Sequence, residues 1–196
     1  MITDLDRLLT NCGTNNINIS NFNKITDVLK ASNTANTKGM HWIIQDLADD
    51  VATFNNKTIT LEFTVPNARG TSSYLDVYCA DCFTGGKKLL VEYKYGPSSI
   101  TKNKIIEQFI ERDLFNPNIT SINQIQWRLK ETGFTKAQLN TWLNTTECRT
   151  AIENLGVDKI AELLGDASIL DLTDVQAVDK LIDYLNIDAN YNLIFR

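Results

Sequence analysis

The residues best suited to chemistry lie in one short stretch, Val91-Glu92-Tyr93-Lys94. Because side chains alternate along a strand, Glu92 and Lys94 share a face if this stretch is extended. A carboxylate beside an amine suits metal-assisted phosphodiester cleavage, in which the amine orients or deprotonates a water and offsets phosphate charge. A Glu-x-Lys triplet by itself is usually a solvated strand edge with an incidental ion pair, so the interpretation depends on its neighbours.

Two further carboxylates come earlier in the chain. Asp76 lies on the strand predicted to pair with the Glu92 strand, and Glu62 lies on the polar face of the strand before that. Mg²⁺ prefers hard oxygen ligands and usually takes only a few of them from protein, so two carboxylates and the Tyr93 carbonyl would be enough. The three segments together predict a metal site on the sheet.

The register of the hairpin decides whether Asp76 and Glu92 meet. The two strands flank Thr84-Gly85-Gly86, which is a hairpin signal. A two-residue loop would turn Asp76 away from Glu92, whereas a three-residue loop would place Asp76 opposite Lys94, because a one-residue slip reverses every side chain. A metal site therefore requires an odd-length loop or a β-bulge in this hairpin.

The surrounding segments show helical and strand patterns in turn. Residues 40–54 repeat apolar side chains at helical spacing, with Thr37 as the predicted N-cap. Residues 57–65 alternate strictly, so the apolar side chains from Ile59 to Val65 are expected on one buried face. Further strands are predicted over 73–83, 87–95 and 119–129, and further helices over 21–31, 102–115, 135–144, 147–164 and 173–186.

This order predicts an α/β or α+β fold, with a central mixed β-sheet of about four strands flanked by helices. We expect residues 1–36 to form an N-terminal helical and loop segment, 37–132 the core, and 133–196 an acidic helical extension packed on it. A chain of 196 residues with 43% hydrophobic content is long and apolar enough to bury a core, which excludes disorder. No apolar run approaches the roughly 20 residues that span a bilayer, and no secretory signal begins the chain, so we expect a soluble globular protein or the soluble part of a larger one.

The charge is unevenly distributed. Residues 151–196 carry nine acids and three bases, whereas residues 87–104 carry five lysines and one glutamate. A basic strip on a near-neutral core can bind phosphate, and the acidic extension cannot. The candidate phosphate-binding side chains are those of Lys87, Lys88, Ser98, Thr101, Lys102 and Lys104.

The four cysteines include a single Cys-x-x-Cys, at Cys79 and Cys82. This pair lies within a predicted strand, whereas redox pairs usually open a helix, and a zinc site would need all four cysteines to converge. We therefore expect free, buried or half-buried thiols. Tyr78 and Tyr95 are expected to pack half-buried or, alternatively, to stack on a base.

Glu62, then Asp76, then Glu92-Tyr93-Lys94, set behind a helix preceded by glycine, resemble the pattern of the PD-(D/E)XK, or restriction-endonuclease-like, nucleases over about residues 38–129. The layout is most similar to the nuclease domains at the C-termini of bacterial contact-dependent growth-inhibition and other polymorphic toxins. The chain departs from the pattern in having Leu75 where proline often precedes the aspartate, and aspartates on the preceding helix where the family has a glutamate.

The resemblance implies roles for the matching residues. Asp76 and Glu92 would bind the metal, Lys94 would assist the water, and Glu62 would complete the metal site. Gln108, on the following helix, would join them. The implied metal is Mg²⁺, with Mn²⁺ or Zn²⁺ as alternatives.

The resulting expectation is a metal-dependent endonuclease that acts on tRNA or DNA. The resemblance further implies an antibacterial toxin domain, delivered as part of a secreted or cell-surface protein into a target cell's cytoplasm and neutralised by a cognate immunity protein. Two alternatives stay open: a non-catalytic acidic interaction protein of the antitoxin or immunity kind, and a restriction or repair nuclease with the same site.

Overall fold

The computed structural model describes residues 2–30, 34–83 and 87–196. Over these ranges the chain has an α+β fold built on a mixed, open sheet in the order β1-β2-β3-β4-β5. β1 runs parallel to β2, β2–β3 and β3–β4 are antiparallel, and β4–β5 is parallel. The strands are β1 (Asn18–Ser20), β2 (Thr58–Pro66), β3 (Ser72–Phe83), β4 (Lys87–Tyr95) and β5 (Ile125–Lys130).

The sheet therefore has five strands in the described residues, not about four. The additional strand, β1, spans three residues, which is too short to show an alternating pattern. Residues 119–129 are not one strand either. A 3₁₀-helix over Ile122–Gln124 comes before β5, and a capping box with Ser121 as the N-cap begins it.

Helices cover both faces of the sheet. They are α1 (Ile2–Thr14), α2 (Asn23–Lys30), α3 (Thr34–Asp49), α4 (Val51–Phe54), α5 (Lys102–Lys104), α6 (Lys136–Leu143), α7 (Thr146–Glu153), α8 (Val157–Leu164), α9 (Asp174–Asn186) and α10 (Asp188–Ile194). α5 leads directly into a π-helix over Ile105–Leu114, and a second 3₁₀-helix spans Ala167–Asp171. No described helix combines the length and apolar character needed to cross a membrane.

Several helix boundaries differ from those predicted. α3 begins at Thr34, so Thr37 lies inside the helix and does not cap it, and the predicted helix over 40–54 is interrupted at Asp50. The predicted helix over 147–164 is divided at Gly156, whose φ of +81° is left-handed and suits glycine. Residue 31, the predicted end of α2, lies outside the described residues.

Two hydrophobic cores lie on opposite faces of the sheet. The first joins α1 and α3 to side chains such as Leu61, Val77 and Val91. The second joins the π-helix and the C-terminal helices to side chains such as Leu90 and Trp127. Burial of apolar surface on both faces holds the sheet between helical layers, as expected for this class of fold.

The β3–β4 hairpin contains a register shift. Next to the loop Phe83 pairs with Lys87, but farther along Cys79 pairs with Leu89, so β3 carries two more residues than β4 over this interval. A shift of two preserves side-chain alternation, whereas a shift of one would reverse it. The predicted loop, residues 84–86, lies outside the described residues.

A disulfide joins Cys79 to Cys82 across the extra residues of β3, with Cα atoms 5.5 Å apart. The expectation of free thiols at these two positions was wrong. The side chains at i and i+3 of an ideal strand point to opposite faces, and it is the bulge that lets these two meet. Cys12 and Cys148 are free thiols.

The disulfide yields the first testable prediction. Because it closes a very short loop, chain entropy gives it a stabilisation of about 2 kcal/mol. Cys82→Ser should lower the free energy of unfolding by roughly that amount, measured by urea denaturation without reductant. Dithiothreitol should reproduce the loss in the wild type but not in the variant. Four reactive thiols in the denatured, unreduced wild type would contradict the bridge.

Candidate active site

Asp76 lies where β3 and β4 stop pairing. Backbone pairing runs from Cys79 to Val77, which pairs with Val91. Beyond this pair the backbone N–H of Tyr93 donates to Asp76 Oδ2 at 2.7 Å. If the pairing of Val77 with Val91 continued, Asp76 would lie across from Glu92, and the charges of Glu92 and Lys94 both act on Asp76. The pairing of Phe83 with Lys87 leaves three residues between the strands, which is the odd number that the site requires, and the two-residue shift preserves that alternation.

Both oxygens of Glu92 are bound to cations. The side chain is 5% exposed, its Oε1 accepts from Lys94 Nζ, and its Oε2 accepts from an Arg112 amino group at 2.8 Å. Burial opposes ionisation, but Arg112 and Lys94 outweigh it and hold the pKa of Glu92 below its ordinary value. Glu92 is therefore the more acidic carboxyl of the pair.

Arg112 and Asp113 are both buried, and they extend the hydrogen bonds of Glu92 into the protein interior. Arg112 Nε donates to Asp113 Oδ1 at 2.6 Å, and Arg112 also donates to the Tyr74 carbonyl at 2.7 Å. Asp113 Oδ2 in turn accepts from the Trp127 indole N–H at 2.8 Å. These contacts connect β3, β4, β5 and the π-helix through a single charged network.

The π-helix explains how two consecutive charged residues both point inward. Its wider turn is visible at its end, where the Phe115 N–H donates to the Ile110 carbonyl, five residues back. Sequence reasoning missed Arg112 and Asp113 as site residues. Asp113 follows the buried Phe109 by four positions, and that helical spacing was the available signal. Arg112 follows Phe109 by three positions and Ile105 by seven, so it carried the same signal.

Glu62 occupies a strained position on β2. Its φ is +46°, in the left-handed region, although it lies inside a strand. Ile59 and Leu61 before it belong to the first core, whereas Phe63 and Val65 after it pack on the second. The expectation that residues 59 to 65 share one face was wrong, because the backbone turns at Glu62 and exchanges the faces.

Glu62, Asp76, Lys94 and Lys104 meet at a cavity of about 360 Å³. Glu62 is ion-paired with Lys24 at 3.2 Å. Lys104 donates to the Ser99 carbonyl at 3.1 Å, and both burial and the neighbouring Lys94 charge lower the pKa of its ammonium group. The cavity thus joins two carboxylates with two amines.

Asp76 is the titratable carboxyl of the site. Burial and then the negative charge of Glu92 raise its pKa from 3.8 to about 7, against the opposing effects of Lys94, the Tyr93 N–H and Arg112. The carboxyl therefore changes charge near neutral pH. A bound cation would favour the ionised form of Asp76, which burial and the Glu92 charge oppose.

A divalent metal fits part of the predicted donor set. Asp76 and Glu92 offer hard carboxylate oxygens, and the carbonyl of Tyr93, the residue after Glu92, offers another, which is the ligand chemistry that Mg²⁺ prefers. No three acidic, histidine or cysteine side chains gather to hold a metal within residues 2–30, 34–83 and 87–196. Glu62 lines the same cavity, but it does not form a three-carboxylate cluster with Asp76 and Glu92.

The predicted phosphate-binding residues are dispersed. Lys104 lines the cavity, whereas Lys87 and Lys88 lie at the opposite end of β4, where Lys88 bonds to Asn118. Lys102 is ion-paired with Glu147 at 3.3 Å.

Three other predicted binding residues lie outside the cavity lining. Ser98 is exposed, and Thr101 caps the following helix by accepting from the Lys104 N–H at 3.3 Å. Gln108 lines a separate cavity beside Glu107 and Glu111. Ser99, the next residue, lines the cavity in place of Ser98.

The aspartates of the preceding helix serve a different purpose. Asp46 and Asp50 both bind Arg128 of β5, the latter at 2.5 Å, and Asp46 also accepts from the Tyr93 hydroxyl at 2.6 Å. These contacts lie on the first-core side of the sheet, away from Glu92. Neither aspartate is therefore placed to act as a helix-borne metal ligand.

Comparison with protein-family models, with curated proteins and with solved structures finds no match to this chain.

The strain at Glu62 yields a prediction about stability. Glycine adopts left-handed φ at no steric cost, whereas other residues lose about 1 kcal/mol there. Glu62→Gly should therefore be more stable than Glu62→Ala by about 1 kcal/mol in chemical denaturation, although both variants lack the carboxylate and the Lys24 contact. Glycine inside an unstrained strand is less stable than alanine by about 0.5–1 kcal/mol, so that order of stabilities would show that the backbone at this position is not strained.

The raised pKa of Asp76 yields a prediction about pH. Between pH 4 and 7 the folded protein holds a proton that the unfolded chain has lost, so the free energy of unfolding should fall as pH rises through this range. Asp76→Asn removes the ionisation and can still accept from the Tyr93 N–H. We expect it to be more stable than wild type at pH 8, by on the order of 1–3 kcal/mol, and similar at pH 4.

Thermal or urea unfolding of both proteins at the two pH values checks this prediction. Asp46→Asn is the control, because it weakens a partner of Arg128 and should be less stable than wild type at pH 8. A wild-type stability that is flat from pH 5 to 8, or an Asp76→Asn variant destabilised at pH 8, would contradict the assignment.

Proposed function

We propose that this chain is a metal-dependent endonuclease that hydrolyses phosphodiester bonds of nucleic acid. The observation that carries the proposal is that Asp76 accepts from the N–H of Tyr93, the residue between Glu92 and Lys94, and lines one cavity with Lys94. The charge pattern agrees with it, since Lys94 and Lys104 lie in that cavity beside the carboxylates of Asp76 and Glu62.

Asp76, Glu92 and the Tyr93 carbonyl would hold the metal, with Mg²⁺ as the best match and Mn²⁺ or Zn²⁺ as alternatives. Such an ion supplies charge neutralisation at the phosphate and a more acidic bound water. The Tyr93 N–H orients the Asp76 carboxylate, and Arg112 fixes Glu92 from below. Lys94 would orient a water as a hydrogen-bond donor, while Lys104 would offset phosphate charge.

The biological setting is part of the proposal. Resemblance to contact-dependent growth-inhibition and polymorphic toxin nucleases supports an antibacterial toxin domain, delivered as part of a larger secreted or surface protein and blocked by a cognate immunity protein. A restriction or repair nuclease would use the same site. The substrate in either setting is tRNA or DNA.

A second candidate function is favoured by one observation. Lys94 and Arg112 bind both oxygens of Glu92, which closes the charge network without a metal. A structural network of this kind suits a non-catalytic acidic interaction protein, with residues 151–196 as its binding surface. The two candidates differ in whether a metal binds and whether nucleic acid is cleaved.

Cleavage assays separate the candidates. Wild type, Asp76→Ala and Lys94→Ala are incubated with plasmid DNA and with total tRNA, in Mg²⁺, Mn²⁺ or EDTA. We expect the wild type to cleave one substrate, EDTA to abolish cleavage, and each substitution to slow it at least 100-fold.

Matched controls come from the same two strands. Asp81→Ala removes an exposed aspartate of β3, and Lys88→Ala removes a lysine at the far end of β4; both should retain activity. Intact DNA and tRNA with every metal, or equal activity of Asp76→Ala and wild type, would reject the nuclease and favour the interaction protein.

A further inference from the structure

Two half-buried aromatic rings border the candidate site. Trp42 of α3 and Tyr95 at the end of β4 both line the cavity that holds Asp76 and Lys94. Their ring centroids are 6.4 Å apart and their planes are inclined at 50°. Neither ring is fully enclosed by the protein, so both offer aromatic surface beside the reacting groups.

Neighbouring side chains fix the positions of both rings. Trp42 packs edge to face on Tyr93, with centroids 5.1 Å apart, and the Lys130 ammonium lies 5.8 Å from the centre of its ring. The Tyr95 hydroxyl is hydrogen-bonded to Glu131, which raises the pKa of that hydroxyl. The rings are therefore held in place before any ligand arrives, which reduces the entropy lost on binding.

Trp42 also borders a second cavity. That cavity, of about 480 Å³, lies between α3 and the end of β5 and is lined by Arg128 and Leu129 among others. The Trp42 side chain thus reaches open space in two directions. A flat ligand ring can stack on it without displacing the hydrophobic core.

The combination of chemical groups is that of a nucleotide site. Lys94 and Lys104 suit a phosphate, and the adjoining Trp42 and Tyr95 suit a planar base. A cavity of about 360 Å³ is at the small end of ligand pockets, so it accepts a single base and its phosphate. A base reaches an aromatic ring in this manner only when it has left the stack of a duplex.

We infer that Trp42 and Tyr95 stack on an unpaired nucleobase next to the scissile phosphate, so that the site acts on single-stranded or looped nucleic acid. This inference rests on the proposed nuclease function. It assigns specificity for unpaired nucleotides to residues that take no part in the chemistry.

Binding measured in EDTA tests the inference without cleavage. Fluorescence anisotropy is recorded with a labelled eight-nucleotide RNA, the same sequence as DNA, and each strand annealed to its complement. We expect single strands to bind at least tenfold more tightly than duplexes, since stacking on one aromatic side chain is worth about tenfold in affinity. The RNA and DNA arms identify which sugar is preferred.

Variants locate the stacking surface. Trp42→Ala and Tyr95→Leu should each weaken single-strand binding by about tenfold, whereas Trp42→Phe should retain most of it. Trp142→Phe, in the other core and stacked on Phe134, is the control and should bind as wild type does. Circular dichroism melting confirms that each variant is folded.

The outcomes distinguish this inference from the proposed function. Equal affinity for single strands and duplexes, or no effect of Trp42→Ala and Tyr95→Leu, would overturn the inference even if the wild type cleaves with Mg²⁺. Preferential single-strand binding that depends on Trp42, without cleavage under any metal, would overturn the nuclease function and retain the stacking site.

Discussion

A carboxylate buried as deeply as that of Glu92 loses hydration worth several kcal/mol unless cations and hydrogen bonds replace the water. Arg112 and Lys94 provide those cations, but Arg112 is itself fully buried and must be neutralised in turn. Asp113 does so, and the Trp127 indole and the Tyr74 carbonyl complete the remaining hydrogen bonds. These partners come from the π-helix and from β3, β4 and β5, so the charge on Glu92 determines how the π-helix and three strands are joined.

The ionised carboxylate of Asp76 is stabilised much less well than that of Glu92. It accepts a hydrogen bond from the Tyr93 N–H, but burial and the Glu92 charge outweigh that bond and the Lys94 and Arg112 charges, so its pKa rises while that of Glu92 falls. The left-handed backbone of Glu62 adds strain at the same cavity. The raised pKa of Asp76 and the strained backbone of Glu62 both oppose folding at one cavity. Local destabilisation of this kind, offset by packing elsewhere in the protein, is typical of a functional site.

Tyr93 connects the two faces of the sheet. Its backbone N–H orients Asp76, while its hydroxyl binds Asp46, which is paired with Arg128 on the α3 side. Its ring supports Trp42, one of the proposed stacking residues. The position of α3, the orientation of Asp76 and the aromatic surface therefore depend on one another. A change in any of them should alter the arrangement of side chains around the cavity.

The amino-acid sequence by itself determined which segments form the strands that carry Asp76, Glu92 and Lys94. Period-two alternation and flanking glycines are local features, so neighbouring residues alone reveal them. It also determined that Asp76 and Glu92 meet only with an odd-length loop or a bulge. The tertiary structure decided that both occur, since three residues separate the paired Phe83 and Lys87 and a two-residue shift follows, which the Cys79–Cys82 disulfide spans. It also decided the face exchange at Glu62 and the partners of Arg112, because positive φ and contacts between distant segments leave no periodic signal. Local patterns thus determine which face a side chain occupies, and only long-range packing determines what it meets there.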